Sequence, residues 1–167
     1  MTTMQAVQIS KFGGPDVLQT ADVSIPVPGP DQVLVKLDVA GVNYSDTNWR
    51  DGLRGGRPPM INGAEGAGII AGLGAKVCGI REGDRVAYWN PAIGSYAAYA
   101  VCPAFRIVQL PDDMDFEIGA ALMLQGLTAH YLIRSTFKVS DGQSILFHAG
   151  AGGVGQVAIK LAKAQGA

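Results

Sequence analysis

Residues 147–167 read FHAGAGGVGQVAIKLAKAQGA. Gly150, Gly152 and Gly155 fall in the pattern G-x-G-x-x-G. That pattern is weak alone and gains meaning from its flanks. Before it, residues 144–149 (SILFHA) form a short apolar run suited to a strand buried on both faces. After it, residues 154–164 read as a helix. In a strand–turn–helix unit the first glycine permits a tight turn and the second lets backbone approach a pyrophosphate. The third lets the helix pack closely on the strand. The N–H groups of the first helical turn then face the phosphates with a favourable dipole. The residue that reads the adenosine ribose lies about 20 positions further on, past Ala167. The choice between NAD and NADP is therefore not legible in these residues.

Upstream, the pattern is that of β structure. Residues 4–9 suit a strand, residues 11–16 (KFGGPD) a turn, and residues 17–23 a strand pairing back. Pro26, Pro28 and Pro30 exclude a central strand and predict an extended connection. Val33, Val35, Leu37 and Val39 alternate with Leu34, Lys36 and Asp38, the period of a half-buried strand. Residues 63–74, 85–88, 96–101 and 106–110 supply further short strands. Many short strands with glycine-rich turns predict a barrel or a sandwich. Helical spacing then begins, with Asp115 as N-cap, Glu117 in the first turn, and Phe116, Ala120, Leu124, Leu127 and Tyr131 recurring on one face. Gly126 is expected to separate two helical pieces.

Composition narrows the setting. Thirteen basic residues against fourteen acidic ones, with no basic block, give no reason to expect nucleic acid as a partner. Two cysteines make no disulfide framework and suit a reducing, cytoplasmic setting. The first residues lack a signal-peptide pattern, and no apolar run approaches the roughly 18 residues of a membrane span.

The runs KFGGPDVL, VNYSDTNWRDG, GAEGAG, EGDRVAY, QGLTAHYL and FHAGAGGVGQVAIKLAKAQGA occur in this order from end to end. Together they resemble the medium-chain dehydrogenase/reductase superfamily, and within it the zinc-free, zeta-crystallin-like quinone oxidoreductases. The resemblance implies a mainly β, GroES-like catalytic barrel over residues 1–125. The first strand and helix of a Rossmann α/β domain follow over residues 126–167, so the chain matches about the first half of such an enzyme. With the second Rossmann strand lacking, residues 144–167 are expected to be frayed, docked on the barrel, or packed on another chain.

The same resemblance implies NADPH as cofactor, a quinone as hydride acceptor, and a homodimer in the full-length protein. An enone or alkenal acceptor is an alternative, as is a non-catalytic nucleotide-binding or interaction protein. It places Asn43 and Thr128 at the nicotinamide end, as the catalytic pair. Tyr44, Ser45, Asp46, Thr47, Asn48 and Tyr131 line the cofactor, and Gly150, Gly152, Gly153, Val154 and Gly155 form the pyrophosphate turn. Asn43 could instead serve as a turn former, Tyr131 as core, and Asp46 with Arg50 as a structural ion pair. Asn48 and Trp49, and the run Arg54-Gly-Gly-Arg57, depart from some relatives at the edge of the substrate cleft.

Zinc-dependent relatives carry a catalytic cysteine and a Gly-His-Glu motif. Here the matching positions hold Asn43 and Gly63-Ala64-Glu65. Cys78, Cys102, His130 and His148 lie in separate segments and cannot form a four-ligand structural site. No metal is expected.

Overall fold

The structure is a computed structural model that describes residues 2–167. The chain divides into two compact units, Met1–Ala120 and Ala121–Ala167.

The first unit is built from β1 (Thr3–Ile9), β2 (Leu18–Ser24), β3 (Gln32–Gly41), α1 (Tyr44–Arg50), β4 (Met60–Ile61), β5 (Glu65–Leu73), β6 (Arg85–Trp89), β7 (Tyr99–Pro103) and β8 (Ile107–Gln109). One sheet has the order β2-β1-β4 and the other β7-β3-β5-β6-β8. All pairings are antiparallel. The segment before β7 stitches the sheets together. Val7 N–H donates to Tyr96 O at 2.7 Å and Ala98 N–H to Gln5 O at 3.0 Å, while Leu37 N–H reaches Ala98 O at 2.9 Å. A strand expected over residues 96–101 therefore begins at Tyr99, because its first residues bond across to β1 rather than along one ladder.

The alternation in β3 does what its period dictates. Val33 and Val35 are fully buried, while Lys36 and Asp38 face solvent. They pack with Ile70 of β5, Val86 and Tyr88 of β6, and Ala100 and Cys102 of β7. Each such aliphatic side chain contributes about 1.5–3 kcal/mol on burial. The proline-rich residues 26–30 carry no strand, as expected of a segment short of donors.

α2 (Phe116–Tyr131) begins in the first unit, with Asp115 just before it. Its start is anchored there: the Arg85 guanidinium lies 4.0 Å from the centroid of the Phe116 ring and donates to Met114 O at 2.5 Å. Gly126 does not split this helix, contrary to the sequence expectation. One internal glycine costs about 1 kcal/mol, too little to break a run rich in alanine and leucine. The irregularity comes later, as a π-helical turn over Leu132–Thr136 with Phe137 N–H donating to Leu132 O.

In the second unit the π-helical turn and α3 (Gly153–Ala164) enclose a small core of Ala129, Ile133, Val139, Ala158 and Ala162. Residues 144–149, expected as a strand, form none. A strand is defined by its neighbour, and no strand lies beside this one. Leu146 is accordingly 86% exposed.

Candidate functional site

The first candidate cluster sits where β3 ends and α1 begins. Asn43 adopts an extended backbone and caps α1, which explains a turn-type residue there. The Asp46 carboxylate reaches back to the Asn43 N–H at 2.9 Å, the return arm of a capping box. The same oxygen accepts from the Tyr96 hydroxyl at 2.7 Å. Asn62 donates to the Asp46 carbonyl at 2.9 Å, and Asn43 Nδ2 donates to Glu65 Oε1 at 2.6 Å. Asn43, Asp46, Asn62 and Glu65 are all buried. Burial, the hydrogen bond to Asp46 and the charges of Asp46 and Glu65 all push the Tyr96 phenol above its ordinary pKa. It stays a neutral donor at physiological pH.

The expected Asp46–Arg50 ion pair does not form. Arg50 instead pairs with Asp51 at 3.0 Å and donates to Gly13 O at 3.0 Å. The i, i+4 spacing would allow the pair, but the Asp46 carboxylate is taken up by the Asn43 N–H and the Tyr96 hydroxyl, and Arg50 by Asp51 and Gly13. A cavity of about 370 Å³ lies beside the cluster, lined by Val7, Leu18, Asn43, Asp46, Asn62 and Tyr96 among others. Asp46 Oδ1 and Asn62 Oδ1 have no partner, yet both are sealed from solvent, so an occupant of the cavity cannot reach them.

Of the expected cofactor-lining residues, Tyr44 is 86% exposed. Ser45, Thr47 and Asn48 are half-buried along α1. The Thr47 hydroxyl donates to Tyr44 O at 2.7 Å. Arg54 and Arg57 are exposed on the following loop. Glu65, Asn62 and Tyr96 were not singled out as site residues from sequence. Glu65 had one available signal, its place in the Gly63-Ala64-Glu65 run; Asn62 and Tyr96 had none, because only folding brings them to α1.

The second cluster is the glycine turn. Gly152 is the N-cap of α3, and Gly152 N–H closes onto Ala149 O at 2.9 Å. Ala149 itself adopts a left-handed backbone, with φ of 55°. Gly155 shows why the third glycine is needed: a Cβ there would lie 2.5 Å from Ala149 O and 2.6 Å from the Gly150 Cα. The start of the helix lies directly against the turn, although no strand precedes it. A Cβ on Gly153 would meet Gln125 Oε1 at 2.0 Å, so the Gln125 side chain covers that edge. The first backbone N–H groups of α3 have no acceptor within the helix.

Thr128 lies on α2 and donates its hydroxyl hydrogen to Leu124 O at 2.6 Å. Its lone pairs are what it can then offer a ligand. Tyr131 is 49% exposed rather than core. Among the described residues no three His, Cys, Asp or Glu side chains group as metal ligands, and no helix is long and apolar enough to cross a membrane.

Residues 29–112 match the alcohol dehydrogenase GroES-like domain. The chain belongs to the alcohol dehydrogenase GroES-like domain family, and the relatives it matches are quinone oxidoreductases. It is 44% identical over 162 residues to a quinone oxidoreductase of Pseudomonas aeruginosa, covering 96% of this chain and 50% of that protein. The quinone oxidoreductase of Pseudomonas syringae superposes with a TM-score of 0.93 at 45% identity, over 98% of this chain and 50% of that one. The Escherichia coli quinone oxidoreductase, solved in complex with NADPH, superposes with a TM-score of 0.92 at 38% identity, over 97% and 50%. The chain thus spans about half the length of these relatives. Its architecture is that of a GroES-like barrel with the opening segment of a Rossmann domain.

Proposed function

We propose that this chain supplies the catalytic barrel and the diphosphate-binding turn of an NADPH-dependent quinone reductase that works without zinc. The observation that carries this reading is the turn at residues 150–155. A Cβ on its third glycine would fall 2.5 Å from Ala149 O, so only glycine fits there, and α3 begins directly after the turn with its first N–H groups available to a diphosphate. Gly150, Gly152, Gly153, Val154 and Gly155 would hold that group. NADPH, when bound, supplies the hydride; the protein's work is to orient the reactants and keep water out. NADPH is preferred to NADH because the Escherichia coli relative is solved with it.

Asn43 and Thr128 serve the nicotinamide end, and Tyr44, Ser45, Asp46, Thr47, Asn48 and Tyr131 line the cofactor. The reading without metal rests on donor chemistry. Where zinc enzymes place a thiolate and an imidazole, this chain has an amide already engaged with Glu65 and the methyl of Ala64. A cytoplasmic location and a homodimeric full-length form complete the proposal.

Two measurements test it. NADPH titrated into the isotope-labelled chain is expected to bind weakly, on the order of millimolar, and to shift the amides of residues 150–156. Unmoved amides there at saturating cofactor overturn the diphosphate assignment. NADPH oxidation by the protein with a complete nucleotide-binding domain is expected to accelerate with quinones. Acceleration only with enones or alkenals changes the substrate class, and none with any acceptor removes the enzymatic reading.

A further inference from the structure

Glu65 is 1% exposed at the start of β5. Across the ladder it pairs with Gly41, the last residue of β3. A Cβ at position 41 would fall 2.3 Å from Glu65 Oε1, so β3 carries no side chain where the carboxylate crosses it. A buried carboxylate is costly unless hydrogen-bonded, and the space cleared for this one leads to Asn43 Nδ2 at 2.6 Å. Its charge also reaches Tyr96, whose phenol it helps to hold neutral.

The two ends of an asparagine amide are not equivalent: one donates and the other accepts. An ionised carboxylate only accepts. The contact therefore orients the amide, with nitrogen toward β5 and oxygen toward the α1 N-terminus, where Asn43 is the cap. We infer that Glu65 is a positioning residue, which fixes the orientation of the Asn43 amide and so the polarity this side chain presents to a ligand. This rests on the reading that Asn43 serves the nicotinamide end only for its consequence in binding; the orientation stands apart from it. A glutamine at position 65 replaces the charged acceptor with a neutral amide, so the charge-assisted hold on Asn43 Nδ2 is lost and only the helix cap still selects the orientation. Ionisable groups near the pair include Asp46 and Arg50 on α1 and Tyr96 before β7.

The test compares the side-chain NH₂ protons of Asn43 in the isotope-labelled wild-type chain and in Glu65→Gln. In the wild type one of the two protons is expected well downfield of the other, held by a charge-assisted bond. In Glu65→Gln that separation is expected to shrink while the backbone spectrum persists. An Asn43 proton pair unchanged by the substitution overturns the inference.

Should Glu65→Gln fail to fold, Asn43→Asp decides. It keeps a good helix cap but sets a second carboxylate against Glu65, which raises the folded-state pKa of the pair. Its stability is then greatest below the ordinary carboxylate range, about pH 4, and is lost as pH rises through the raised value. The expected result is a deficit against wild type at pH 7 that narrows on acidification; an Asn43→Asp chain as stable as wild type at pH 7 overturns the inference. NADPH added to the wild type separates the two readings. Amide protons that carry the Glu65 signature yet ignore cofactor defeat the nicotinamide-end assignment and leave the positioning role in place.

Discussion

β5 lies between β3 and β6, bonded on both sides over Glu65–Ile69. The apolar residues 144–147 have no strand beside them and join no ladder. In the first region Ile70 is 1% exposed, and in the second Leu146 is 86% exposed. Both runs are apolar and β-competent. The difference teaches that strand propensity is realised only when a neighbour takes up the N–H and C=O groups and another layer covers the side chains. The barrel unit contains its own neighbours, whereas the second unit holds the end of α2, a π-helical turn and α3 and, among the described residues, no strand.

Substitutions should break this contrast unevenly. Ile70→Ala is expected to cost about 2–5 kcal/mol in denaturant unfolding, while Leu146→Ala shifts the midpoint by no more than about 0.5 kcal/mol. Equal costs would erase the distinction between the regions. Asp46→Ala removes the acceptor shared by the Asn43 N–H and the Tyr96 hydroxyl. A loss of about 2–4 kcal/mol is expected, since each buried donor left unpaired costs about 1–3. In the second unit, Ala149→Gly should instead be neutral or stabilising by up to about 1 kcal/mol, because Ala149 already sits at φ 55°.

Thiol chemistry sharpens the same contrast without mutation. Cys102 is buried in the barrel core and its thiol is pushed up to about 12 by burial, while Cys78 is exposed. A thiol reagent at pH 8 should therefore titrate one cysteine in the native chain and two after unfolding. Two equivalents at once would mean the barrel opens readily. The smallest effect concerns pH. The Arg81 backbone N–H holds Asp84 below its ordinary value of 3.8. Its contribution is present above that value and fades as pH falls through the lowered one. Asp84→Asn should lower stability slightly near pH 7, and the deficit should vanish as pH falls through the lowered value.

Much of the barrel was legible because period-two patterns and proline positions report local geometry. β3 runs where Val33, Val35, Leu37 and Val39 alternate, and residues 26–30 carry no strand, as their prolines require. The glycine motif was legible in its turn and helix, where a Cβ at Gly155 would have no room, but not in the strand expected before it. What stayed hidden is non-local. The helix at Tyr44–Arg50 is short and depends on Asn43 and Asp46 for its cap. Tyr96 reaches Asp46 across 50 residues of chain, a pairing no spacing announces. Residues 144–149 failed as a strand because burial, not composition, was the missing ingredient.

The most direct test of the account is residue-resolved hydrogen exchange on the dilute chain. It predicts slow exchange for the paired amides of β3 and β5 and near-unprotected exchange for residues 144–147. Protection of residues 144–147 comparable to β5 would contradict it.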